Sequence, residues 1–382
     1  MSIIGMLFVY LMPMFVFGAE QTKEASIGIE APHAVLMETT TGSVLYEKDA
    51  HVAVPPASVT KIMTMLLIFE ALEAQKIKLE DTVVISEKAA SMGGSQVFLE
   101  ANAKYPVREL LKSIVVCSAN DSCVAMAERI AGGEDMFIAQ MNEKAKELGA
   151  NDTLFSNCTG LPKEPQYSCA KDVSLMMREL LTHEEYYEFG KVWLDKFAHP
   201  KGRYTEISNT NKLVRFYDGC DGGKTGFTNQ AGFCLACTAK RNNMRIISVV
   251  IGAESSANRF EDSRMMLDYA FANYTMQPIV SAGEVLQTPA SVSGGKKGSV
   301  CVAPARSAYA FTRRGEVSDT NVKTYLRKLR APVAKGAKVG EMVVYKNGVE
   351  AERVPLVAIE CVQRATFFDS MREIARHFNA RK

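Results

Sequence analysis

Hydrophobic and polar positions divide the chain into four stretches of different texture. Ile3 to Phe17 is almost wholly apolar and ends at Gly18-Ala19, ahead of Glu20 and Gln21. A membrane span needs about 20 apolar residues, so the shorter stretch suits the core of an export signal over residues 1–19. No Lys or Arg precedes it, so either the signal is atypical or its start lies slightly upstream; Pro13 in its middle counts against a buried helix. Next, Ala34–Met37 and Ser43–Tyr46 flank Thr39-Thr40-Thr41-Gly42 and read as a hairpin. Behind Pro55-Pro56, the apolar run Ile62–Leu72 reads as a buried helix. Val107–Val116 and Cys123–Ala131 read as two helices broken at Ser118-Ala119-Asn120, with further helices near Met136–Leu148 and Lys171–Leu181. Strand texture returns at Gly232–Thr238 and Arg245–Gly252, before an amphipathic helix over Arg259–Asn273. Strands at both ends with helices between predict one α/β (α+β) domain over residues 25–275, its sheet completed by distant segments.

From Gln277 the texture changes to short β-prone runs separated by Gly, Pro and Lys turns. Met342–Tyr345, Lys346-Asn347-Gly348 and the run from Val349 make a hairpin, because Asn-Gly tolerates the positive φ of a type I′ turn. A small all-β domain over 277–361 is expected. In the tail, 362–382, Phe367, Phe368, Met371, Ile374, Ala375 and Phe378 recur at helical spacing, with arginines around them. An amphipathic helix follows, serving either as an in-plane membrane anchor or as a terminal helix packed on the β domain.

Length and composition narrow the rest. The 382 residues exceed one ordinary domain, and a net charge of +2 without a basic, aromatic-interleaved run argues against nucleic acid. Nine cysteines, an odd number, leave at least one free thiol or an intermolecular bridge in an exported chain. Cys234 and Cys237 resemble half a metal site, but on a strand residues three apart point to opposite faces. Cysteine as a small buried hydrophobe is the better account. Five histidines form no metal-binding motif, so neither a zinc peptidase nor any cofactor is expected.

Three short motifs remain: Ser58-Val59-Thr60-Lys61 opening the buried helix, Ser118-Ala119-Asn120 in the helix–helix break, and Lys224-Thr225-Gly226 ahead of a strand hairpin. A serine hydroxyl needs a neighbouring base, and Lys61 stands one helical turn on, on the same face. An ammonium is no base, so burial and a second cation must lower its pKa; Lys224 is the candidate, and it could also hold a substrate carboxylate. Ser118 supplies a hydroxyl to pass a proton to the leaving amine, and Asn120 an amide to orient substrate or Lys61. Gly222, Gly223 and Gly226 let a substrate backbone lie close, and the Ser58 amide is suited to an oxyanion hole. No Gly-x-Ser-x-Gly elbow is present.

The three motifs in this order resemble those of penicillin-binding proteins and class A β-lactamases. Over nearly the whole mature length, the chain resembles the D-alanyl-D-alanine carboxypeptidases, the low-molecular-mass penicillin-binding proteins. Pro56–Thr64 is similar to their nucleophile block, Ser118–Glu128 to their second, and Asp221–Thr228 with Ala231-Gly232 to their third. Gly94-Ser95 before Val97–Glu100, the β domain and the tail match as well. The resemblance implies a β-lactamase/transpeptidase-like catalytic domain located at the outer face of the cytoplasmic membrane. There Ser58 would attack the carbonyl between the two terminal D-alanines of a peptidoglycan stem peptide, and Lys61 would take its proton. The amides of Ser58 and Phe227 would form the oxyanion hole. Lys224, Thr225 and Arg259 would hold the terminal carboxylate, with Gly226 completing the strand, and β-lactams would acylate the same serine. Two departures are Ala119, where many relatives have glycine, and Phe227, where some have histidine.

Other activities are conceivable on the same site. An endopeptidase that cuts cross-links would use the same residues. A β-lactamase needs a Glu for deacylation, and Glu164 lacks the Glu-x-x-Leu-Asn surroundings. A wall-binding protein without chemistry would not need Ser58, Lys61, Ser118, Asn120 and Lys224 intact.

Overall fold

The computed structural model describes residues 27–316, 319–346, 348–369 and 371. The export signal over 1–19 and most of the tail helix fall outside the described residues. Among the described residues no helix is long and apolar enough to cross a membrane.

Five strands form one antiparallel sheet: β1 (His33–Glu38), β2 (Val44–Lys48), β3 (Cys220–Thr228), β4 (Gly232–Arg241) and β5 (Met244–Ala253), in the order β2-β1-β5-β4-β3. The N-terminal hairpin joins the C-terminal strands through β1 and β5, which pair from His33 opposite Ile251 to Glu38 opposite Ile246. Alternation along the strands sends side chains to two cores. Val35, Met37, Cys234, Ala236, Ile247 and Val249 pack against a helical layer; Leu36, Leu235, Cys237, Ile246 and Val250 pack against the final helix α6 (Ser256–Asn273). Cys234 and Cys237 thus lie in different cores, as strand periodicity requires, and all nine cysteines are free thiols.

The helical layer holds α1 (Lys61–Glu73), α2 (Val107–Cys117), α3 (Asn120–Ala131), α4 (Glu134–Glu147) and α5 (Ala170–Leu180). Helix α1 is buried on nearly every side, since its run from Ile62 to Phe69 offers no polar face to water. A helix so enclosed is a rigid mount for whatever stands at its N-terminus.

A third core, with Val292, Val302, Val339, Val344, Val354 and Leu356, belongs to the C-terminal β unit. Its first strand, Tyr274–Val280, follows α6 directly and pairs with Ala308–Arg313, so strand structure begins before the expected residue 277. The strands Lys338–Lys346 and Val349–Ala358 meet with Lys346 opposite Val349, the two-residue connection that Asn-Gly predicts, and Gly348 has φ +78°. Pairing also reaches beyond residue 361, through bridges of Val362 to Val333 and Arg364 to Gly295. Phe367, Phe368 and Met371 are exposed.

Candidate active site

Residues Ala57–Thr60 form one tight turn that runs directly into α1. The turn brings Ser58 and Lys61 side by side: Lys61 Nζ donates to Ser58 Oγ at 3.0 Å and to the Thr159 carbonyl at 2.6 Å. Lys61 is fully buried, and burial lowers its ammonium pKa. The buried thiols beside it do not restore the charge, because desolvation pushes Cys117 and Cys123 up to about 12 and leaves them neutral.

The Thr159 carbonyl is held by its own loop. Asn157 Oδ1 accepts from Thr159 N at 3.0 Å and Gly160 N at 2.6 Å, while Thr64 Oγ1 on α1 donates to the Cys158 carbonyl at 2.6 Å. Gly160 sits at φ +79°, and a Cβ there would lie 1.9 Å from the Ala57 carbonyl oxygen. Only glycine lets this loop close onto the nucleophile turn. Sequence reasoning missed the loop because a backbone carbonyl leaves no residue-type signal. Asn157 three residues before Gly160 was the available hint. Glu164, further along, is exposed.

Ser118 caps α2 in a left-handed conformation, φ +66°, between two helices as the pattern break predicted. Its Oγ and Asn120 Oδ1 are buried without a partner among the described residues. Buried polar atoms are nearly always paired, so these two orphans leave hydrogen-bonding capacity unused. Asn120 Nδ2 donates to the Gly93 carbonyl at 2.7 Å, and the Asp121 carboxylate accepts from the amides of Val97, Leu99 and Ser122. Asn120 and Asp121 therefore also fix the 93–99 segment.

The third motif lies within β3, the first strand of the β3–β4 hairpin, rather than ahead of it. Extended backbone tolerates its glycines where something packs close. A Cβ on Gly226 would stand 3.0 Å from Ser58 N, so β3 and the nucleophile turn touch through backbone. β3 is an edge strand, and among the described residues no second strand pairs with it beyond β4. Lys224 is fully buried, with Nζ donating to the Thr225 carbonyl at 2.8 Å. Burial, and then the charge of Lys61, pull its pKa well below the ordinary lysine value. Phe227 is exposed and stacks on Phe233, with ring centroids 4.3 Å apart.

Arg259 is a partly buried guanidinium, not a surface helix-start residue. It donates through Nη1 to the Gly226 and Cys234 carbonyls at 3.0 and 3.3 Å, and lies 5.3 Å from the Phe233 ring centre. Its contacts are to the backbone of β3 and β4, beside Thr225 and Phe227, and its Nε is buried without a partner among the described residues. Lys61 bonds Ser58, and the strand carrying Lys224, Thr225, Gly226 and Phe227 touches the Ser58 turn at Gly226. Arg259 reaches that strand from α6, and Lys61 lies within electrostatic reach of Cys117 and Asp121, on either side of Ser118-Ala119-Asn120. Among the described residues no metal-holding cluster lies here.

Residues 19–255 match a family described as D-alanyl-D-alanine carboxypeptidase, and residues 274–364 match the penicillin-binding protein 5 C-terminal domain. The chain is 40% identical over 367 residues to D-alanyl-D-alanine carboxypeptidase DacF of Bacillus subtilis, covering 96% of this chain and 94% of that one. A solved peptidoglycan synthesis regulatory factor (PBP3) of Streptococcus pneumoniae superposes with a TM-score of 0.75 at 31% identity, covering 88% of this chain and 100% of that one. Penicillin-binding protein D2 of Listeria monocytogenes in its ampicillin-bound form superposes with a TM-score of 0.58 at 29% identity, covering 64% and 98%. With the family match over residues 19–255 and the relative 40% identical along nearly its whole length, this chain belongs to the D-alanyl-D-alanine carboxypeptidase family.

Proposed function

We propose that Ser58 is the nucleophile of this carboxypeptidase and Lys61 its base, acting on the terminal D-alanyl-D-alanine of peptidoglycan stem peptides. The observation that carries the assignment is the buried Lys61 Nζ, 3.0 Å from Ser58 Oγ and locked onto the Thr159 carbonyl. Neutral Lys61 takes the Ser58 proton as Oγ bonds to the penultimate carbonyl carbon. The oxygen of the tetrahedral intermediate meets the amides of Ser58 and Phe227, which the close approach at Gly226 brings together. The C–N bond then breaks, and the D-alanine amine leaves with a proton delivered through the orphaned Ser118 hydroxyl. Water attacks the ester, with Lys61 again as base, and frees Ser58. Lys224 and Thr225 hold the substrate carboxylate, Asn120 orients the acyl chain, and Arg259 acts from behind β3, adding positive field at Thr225.

β-Lactams enter by the same route, acylating Ser58; the similar Listeria protein in its ampicillin-bound form supports this. The apolar run Ile3–Phe17 supports export, and the exposed Phe367, Phe368 and Met371 support an in-plane hold on the outer face of the cytoplasmic membrane. The test is D-alanine release from an acyl-Lys-D-Ala-D-Ala peptide by the chain and by Ser58→Ala. Release by the first alone is expected. Equal release by both would remove Ser58 from the chemistry, and release from cross-linked dimers alone would make the enzyme an endopeptidase.

A further inference from the structure

We propose that His51, Asp152 and Cys169 form a binding site for one divalent transition-metal ion of the zinc class, apart from the serine–lysine centre. The ligand atoms of these three side chains, an imidazole nitrogen, a carboxylate oxygen and a thiol sulfur, all lie within 4.8 Å of one another. His51 Nδ1 and Asp152 Oδ2 are 3.2 Å apart. Tetrahedral coordination at about 2.0–2.3 Å separates ligand atoms by roughly 3.3–3.8 Å. The pair already has that spacing, and the sulfur, within 4.8 Å of both atoms, needs an approach of at most about 1–1.5 Å. The exposed side chain of His51 and the half-exposed one of Asp152 can supply this by small rotations, while Cys169 stays buried.

Three separate segments converge to make the site, which is why no motif shows it in the sequence. His51 lies beyond β2, Asp152 beyond α4, and Cys169 caps α5. Backbone bonds hold the segments together: Lys171 N to the Ala50 carbonyl at 3.0 Å, and Val54 with Ser168 in both directions. Asp172 Oδ2 accepts from Asp152 N at 2.8 Å and Thr153 Oγ1 at 2.7 Å, which adds a second carboxylate. The N-terminus of α5 carries partial positive charge that opposes a cation. Asp152 and Asp172 oppose it, and the Cys169 thiol, which burial pushes up to about 12, would give up its proton on binding the metal. Either a His–Asp contact or a capping cysteine alone would be ordinary; their meeting across three segments carries the inference. A bound ion would tie the segment leading into Ser58 to the loop whose Thr159 carbonyl holds Lys61.

Cobalt(II) titration of the metal-stripped, tag-free chain from Glu20, reversed by zinc, tests the site. One equivalent is expected to give a near-ultraviolet thiolate-to-cobalt charge-transfer band, lost in Cys169→Ser and requiring at least ~10-fold more cobalt in His51→Ala. Labelling by a fluorescent penicillin reports that each variant is folded. No charge-transfer band from the folded chain at ~1 mM cobalt would overturn the proposal, as would a band unchanged in His51→Ala and Asp152→Asn. Those two accessible positions decide the matter if Cys169→Ser does not fold.

Discussion

Gly160→Ala tests whether the Thr159 loop sets the reactivity of Ser58. The new Cβ would stand 1.9 Å from the Ala57 carbonyl oxygen, where real contacts start at 3.0–3.4 Å, so the two backbones must part by about 1.1–1.5 Å. The residue would also hold φ +79°, which costs an L-residue about 1 kcal/mol. Forced separation of packed backbone adds about 1–3 kcal/mol, for a sum of about 2–4 kcal/mol. In a catalytic unit of this size that lowers Tm by about 5–15 °C. Because the displaced loop carries the acceptor of Lys61, and the displaced turn carries Ser58, a misplacement of about 1 Å should slow acylation by roughly 10²-fold. The assay is the second-order rate of labelling by a fluorescent penicillin, beside a melting curve. Gly149→Ala is the control: Gly149 has φ +74° but nothing within 4 Å of its would-be Cβ, so only the conformational cost applies and acylation should not change. A Gly160→Ala enzyme that acylates within about threefold of the parent, with the same Tm, would refute the reasoning.

Two further outcomes follow from buried charge. Lys61 acts only when neutral and burial lowers its pKa, so acylation should rise with pH to a midpoint below the ordinary lysine value of about 10.4; a midpoint at or above that value would exclude it as the base. Asp121→Asn puts an amide where a carboxylate accepts from Val97, Leu99 and Ser122, and should cost about 2–4 kcal/mol in urea unfolding, with an undiminished midpoint counting against the clamp.

Local pattern was enough for the parts whose forces are local. The enclosed helix α1 is legible because a run with one small polar residue, Thr64, has no face to offer water, and the Ser58–Lys61 spacing is legible because a helical turn returns to the same side. The break at Ser118 and the Asn-Gly hairpin are legible because each needs backbone that few residues adopt. Tertiary structure decided the rest, because its forces act between segments far apart in the chain. The Thr159 carbonyl has no side chain to betray it, and Gly160 needs its φ only because Ala57 lies against it. Burial and the nearness of Lys61 lower the pKa of Lys224, and neither is written in Lys-Thr-Gly. Arg259 reaches the Gly226 carbonyl only because α6 packs across the sheet, and His51, Asp152 and Cys169 meet only where three loops close. The amino-acid sequence by itself singled out residue types suited to the chemistry; the folded chain determined how close they stand and how dry.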